Sequence, residues 1–142
     1  MPLFKLSNEE LRLLSLFERM TGTPAKDVVS DGHAIAFLIP AGLMGRAIGK
    51  KGASIQRVRN ALGKPVVLFE HADSPEEFIR NLIAPAPAIN INIQEKNNMK
   101  TATVRIDPKY RGSVLGRGGE RIKLAQALLQ RHFGIALKLV SL

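Results

Sequence analysis

The chain has 142 residues, with 21 Lys plus Arg against 12 Asp plus Glu, and no Cys. That length suits one ordinary domain or two very small ones, and 45% apolar residues suffice to fold. The lack of Cys excludes disulfides, Cys-ligated zinc, thiol nucleophiles and redox motifs, and fits a cytoplasmic chain. No apolar run is long enough for a transmembrane helix, and Met1 to Lys5 do not read as a signal peptide. A formal charge of +9 points to a polyanionic partner. No acidic residue stands between Asp31 and Glu70, an interval holding Arg46, Lys50, Lys51, Arg57, Arg59 and Lys64. A second basic stretch runs from Arg105 to Arg131. Six Phe, one Tyr and no Trp are too few for a surface that stacks bases on aromatic rings.

In chain order, Ser7-Asn8-Glu9-Glu10 reads as a capping box opening a helix with an apolar stripe at Leu11, Leu14, Phe17 and Met20. This stripe, with Leu13 and Leu16, is expected to serve the core rather than a partner, because small domains need every apolar helix face. Val28-Val29 forms a short strand ending at the Asp31-Gly32 turn. Residues 34–39 are apolar on both faces, as in a central strand. A short helix over 43–48, a break over 49–52, a helix over 53–62 and a strand over 65–69 complete the plan.

The plan then repeats at an offset of 67 residues, so that Gly45, Gly49 and Gly52 fall on Gly112, Gly116 and Gly119. Ser74-Pro75-Glu76-Glu77 opens a helix carrying Phe78, Ile79, Leu82 and Ile83, which stops at Pro85. Ile89, Ile91 and Ile93 alternate with Asn90, Asn92 and Gln94 in a half-buried strand. Asn97-Asn98 turns the chain into a strand with Ala102, Val104 and Ile106. Helices over 108–115 and 120–132 follow, then a closing strand over 135–140. The second copy needs about four more residues in its long helix or the loop after it. Three glycines in register make duplication the explanation, with units 1–73 and 74–142 and no flexible linker between them.

Each copy joins two helices through Gly, two residues and Gly, with basic residues inside: Gly49-Lys50-Lys51-Gly52 and Gly116-Arg117-Gly118-Gly119. A glycine without a Cβ lets another backbone come close. A helix that begins just after the turn offers unpaired amides and its positive dipole end to an anion. One such turn alone is an ordinary helix end. Two in register, both basic and both preceded by an aliphatic residue (Ile48 and Leu115), make a pair of clamps for a sugar-phosphate backbone.

These residues resemble the KH domain in its type II arrangement, whose GxxG loop clamps about four nucleotides. The run from Leu115 to Ala125 resembles the second KH module of NusA. Residues 48–55, Glu70-His71 and 76–82 are similar to short archaeal NusA-like proteins. The resemblance covers essentially the whole chain. It implies an α+β fold of two tandem type II KH domains, each a three-stranded mixed sheet packed against helices. It implies single-stranded RNA as ligand, held by Gly49, Lys50, Lys51 and Gly52 and by Gly116, Arg117, Gly118 and Gly119. Ile48 and Leu115 would floor the base groove. Arg46 and Arg111, one turn earlier, and Arg57, Arg121 and Lys123, on the following helices, are candidate phosphate contacts. The implied role is a factor in transcription termination or antitermination. RNA polymerase follows as a possible partner, although two KH units use up the length and leave none for a polymerase-binding domain or an OB-fold module.

Other chemistries fail on spacing. Residues 45–51 have three residues between the glycines of a would-be P-loop, where four are needed, and Lys51 where Ser or Thr belongs. Arg121 stands where a dinucleotide fingerprint needs its third Gly. His33, His71 and His132 are far apart in sequence, and no hydroxyl nucleophile has an evident base, so no metal, cofactor or catalytic activity is expected. A monomer is expected. A KH module in ribosome assembly or translation, and a protein-binding KH scaffold, stay open as alternatives. So does single-stranded DNA in place of RNA, because that choice depends on contacts to the 2′-hydroxyl.

Overall fold

The computed structural model describes residues 6–141. The chain divides after Ala72 into two compact units. Each unit is a three-stranded mixed sheet packed against helices. In the first, α1 (Asn8–Thr21) precedes β1 (Asp27–Ser30), β2 (Ile35–Ile39), α2 (Met44–Ile48), α3 (Ala53–Leu62) and β3 (Val66–Glu70). The second unit has α4 (Pro75–Ile83), β4 (Asn90–Lys96), β5 (Met99–Ile106), α5 (Arg111–Leu115), α6 (Glu120–Phe133) and β6 (Ile135–Ser141). The strand order is β1-β2-β3 in one sheet and β4-β5-β6 in the other. In both, the first pair is antiparallel and the second parallel.

The helix starts follow from their caps. The Ser7 hydroxyl accepts from the Glu10 amide at 3.1 Å, while the Ser7 amide donates to Glu10 Oε1 at 2.9 Å. Ser74 accepts from the Glu77 amide at 3.2 Å, and Pro75 occupies the first helical position of α4. The Asp31 carboxylate accepts from the amides of His33 and Ala34, both at 2.9 Å, closing the turn between β1 and β2. Those two bonds hold its pKa below the ordinary carboxylate value, the Ala34 amide contributing most. Asn97 and Asn98 both have positive φ, 54° and 64°, which is the hairpin turn that the twist of paired strands favours.

The first core gathers Phe17, Val28, Ile35, Phe37, Ile39 and Val58 around stacked Phe17 and Phe37 rings, 4.3 Å between centroids. Every residue of β2 is buried, as its two apolar faces require. The α1 stripe differs from the sequence expectation. Leu13 is buried with Phe17, whereas Leu11 is 53% exposed. At about 100° per residue, Leu13 and Leu14 lie within about 60° of the Phe17 direction, while Leu11 lies about 120° away. In the second unit Phe78, Ile79, Leu82 and Ile83 are all buried, as are Ala102, Val104, Ile106, Leu128 and Leu129. Ile89 stands before β4 and is 52% exposed, so the half-buried alternation is carried by Ile91 and Ile93. The helix expected from Pro108 begins as a 3-10 turn, Pro108–Tyr110, before α5. The four extra residues of the second copy sit in α6, which has 14 residues where α3 has 10.

Candidate nucleic-acid interface

The two Gly turns have one backbone conformation. Gly49 and Gly116 have φ/ψ of 81°/171° and 75°/178°. Two residues on, Lys51 and Gly118 lie at 54°/28° and 63°/19°. Gly52 and Gly119 close the turns at 75°/16° and 76°/13°. Position by position, the second loop repeats the first.

The glycines serve different ends. A Cβ on Gly49 would lie 2.5 Å from Ser54 Oγ and 2.8 Å from the Ser54 amide nitrogen; one on Gly116 would lie 2.6 Å from Arg121 Cβ. The first glycine of each loop therefore lets the chain cross tightly over the start of the next helix. Gly52 and Gly119 face open space, and what they supply is the left-handed backbone just before α3 and α6. Neither helix has a side-chain N-cap, so no side chain competes for the amides of its first turn. The two starts are not equal. α6 begins on Glu120, whose carboxylate partly offsets the pull on an anion, where α3 has Ala53.

Lys50, Lys51, Arg117 and Gly118 are exposed at the loop tips, and Arg46, Arg111 and Lys123 are exposed on adjoining helices. Lys51 is in the left-handed region, where a side chain costs about 1–2 kcal/mol. The matching position in the second loop is Gly118, which avoids that cost and gives up the charge. Ile48 is 38% exposed beside its loop, and Leu115 is half-buried beside the other. Arg111 lies 3.5 Å from Ser141 Oγ at the end of β6.

Arg57 and Arg121 are placed differently from the other candidates. Arg57 Nη2 donates to the Met20 carbonyl at 3.0 Å, and Arg121 Nη2 donates to the Ala84 carbonyl at 3.0 Å. Each guanidinium thus satisfies a carbonyl at the end of its unit's opening helix. Burial lowers the Arg121 pKa from its ordinary value. A pair that sequence reasoning missed is Arg59 and Gln126, which the 67-residue offset aligns. Arg59 donates to the Val66 carbonyl at 3.2 Å and Gln126 to the Ile135 carbonyl at 3.3 Å, tying each long helix to the first residue of the strand after it. Their shared offset was the available signal, hidden by the difference in residue type. Among the described residues, no group of three or more His, Cys, Asp or Glu side chains could hold a metal ion, and no helix is long and apolar enough to cross a membrane.

Comparison with known proteins agrees with this geometry. The KH domain family matches residues 14–101, and the NusA-like second KH domain family matches residues 75–138. A probable transcription termination protein NusA from Halococcus morrhuae is 39% identical over 92% of this chain and 93% of its own length. The chain belongs to the archaeal NusA-like family with tandem KH domains. The protein of the same description from Methanocaldococcus jannaschii is 31% identical over 90% of this chain and 70% of its own. The crystal structure of APE1850 superposes on this NusA-like chain with a TM-score of 0.82 at 32% identity, covering 96% of this chain and 100% of that one. In the transcription termination/antitermination protein NusA of Thermus thermophilus the match is 34% identical and spans 60% of this chain but 22% of the bacterial protein.

Proposed function

We propose that the chain is a single-stranded RNA-binding factor of transcription termination or antitermination, acting in the cytoplasm, in which the two GxxG turns grip the RNA backbone. The observation that carries this reading is the repeated loop. Two turns with one backbone conformation each place exposed basic side chains ahead of a helix start without a side-chain cap. Residues 1–73 and 74–142 act as one KH domain each. Lys50, Lys51 and Arg117 supply charge, with Arg46, Arg111 and Lys123 flanking them. The glycines allow phosphates to approach the amides, and Ile48 and Leu115 give the bases an apolar floor. Arg57 and Arg121 act mainly by fixing the opening helices behind the loops. The names of the relatives support the transcription role, while polymerase contact has no support from the fold. The reading assigns the chain no reaction and no cofactor.

The test replaces Lys50-Lys51 and, separately, Arg117-Gly118 with Asp pairs and measures single-stranded RNA binding by fluorescence anisotropy. Removing one charge-assisted hydrogen bond of about 1.5–3 kcal/mol lowers affinity about tenfold or more. Each pair should do at least that with the circular dichroism spectrum unchanged. Unchanged affinity in both variants would overturn the clamp.

A further inference from the structure

The second sheet carries a surface that the loops do not use. Alternation along the strands puts Asn90, Asn92 and Gln94 on the side of the sheet opposite the buried Ala102, Val104 and Ile106. Asn90 pairs with Arg105 and Asn92 with Thr103, and Lys138 of β6 follows beside Thr103. Glu95, the one carboxylate in the three strands, alternates to the other side. The first unit treats the same side of its sheet differently, with a buried Asp27 at the Asn90 position and apolar residues elsewhere. Val29, Ala36 and Val67 stand in the row that Asn92, Thr103 and Lys138 occupy here. Leu38 stands at the Arg105 position. Val29, Ala36 and Leu38 are all buried, whereas the amides, Arg105 and Lys138 are exposed. One fold thus bears an apolar row in one copy and an amide, hydroxyl and ammonium row in the other.

We infer that this face of the β4-β5-β6 sheet binds a further stretch of the same single-stranded RNA, an inference that rests on the loop reading above. Two properties select that occupant. Arg105 and Lys138 without a carboxylate among them complement a phosphate chain. Amides on alternate residues of β4 recur at about 6.7 Å, close to the step between nucleotides of an extended strand, and an Asn or Gln amide can bond an adenine edge through two hydrogen bonds. A second copy meeting this face would find no carboxylate for its cations, and a protein partner would find no aromatic anchor on it.

The experiment compares oligoadenylates of about 8 nucleotides, twice the length one loop holds, with oligoadenylates of about 14. Fluorescence anisotropy is read on the full chain, on Arg105→Gln/Lys138→Gln and on Asn92→Ala/Gln94→Ala. The unmodified chain should bind the longer RNA about tenfold more tightly. Arg105→Gln/Lys138→Gln should remove that gain and leave the shorter RNA unchanged, and Asn92→Ala/Gln94→Ala should reduce the gain for oligoadenylate more than for oligouridylate. Equal losses at both lengths, or no gain with length, would overturn the sheet assignment while the loops stand. Failure of the unmodified chain to bind either length would overturn both. A doubled mass in light scattering that Lys138→Gln reverses would assign the face to a second copy instead.

Discussion

Replacing Gly49 with Ala tests the reasoning about the loop most sharply, because two separate costs can be worked out. The added Cβ meets Ser54 Oγ at 2.5 Å, and Ser54 Cβ and N at 2.8 Å each. Since the Cβ and nitrogen of residue 54 are fixed to α3, rotating the hydroxyl away relieves only one of the three clashes. Such overpacking costs about 1–3 kcal/mol. The backbone at 81°/171° also lies in a region open essentially to glycine alone, which adds about 1–3 kcal/mol. Together about 2–6 kcal/mol is lost, a large part of the 5–15 kcal/mol of a typical domain. Gly52→Ala is the control, with a left-handed backbone but nothing within 4 Å of its Cβ, and should cost about 1–2 kcal/mol. Urea unfolding followed by circular dichroism measures both. Equal destabilisation by the two variants would show that the close crossing over Ser54 is not what the first glycine is for.

Three further variants have expected outcomes. Lys51→Gly should stabilise the first unit by about 1 kcal/mol by releasing left-handed strain. The same variant should weaken RNA binding and flatten the slope of log K against log salt by about 0.7, because one fewer phosphate is neutralised, as read in an anisotropy salt series. Glu120→Gln should tighten RNA binding severalfold, because it removes the carboxylate at the start of α6, and titration at low salt should show the effect most strongly. For Asp31, the folded pKa lies below the ordinary value near 3.9, so its stabilisation is present above about pH 4 and is lost as pH falls through the lowered value. Asp31→Asn keeps an acceptor for the His33 and Ala34 amides, and thermal melts should show a smaller loss of stability between about pH 4 and pH 2.

Much of this molecule is legible where a residue's role is set by its own neighbourhood in sequence. The Gly49 and Gly116 turns, the Asn97-Asn98 hairpin and the Ala53–Leu62 helix fall where local backbone rules put them. Roles set by a distant partner are not legible in that way. Arg57 and Arg121 look like free helix-surface cations until α1 and α4 end beside them and supply the Met20 and Ala84 carbonyls. Arg59 and Gln126 share a task that their chemistry does not announce, since either side chain can donate to a strand carbonyl. Leu11 and Leu13 are equally apolar, and only the direction in which Phe17 enters the core separates them. The contrast between the Val29-Ala36-Val67 row in one unit and the Asn92-Thr103-Lys138 row in the other becomes visible only once strand register pairs Ala36 with Val67 and Thr103 with Lys138.

The most direct measurement of the central claim is a backbone amide NMR titration of the full chain with single-stranded RNA. Binding at the repeated turns predicts the largest shift changes over residues 49–54 and 116–121, with both sets moving as RNA is added. Large changes elsewhere with these amides unmoved would contradict the account.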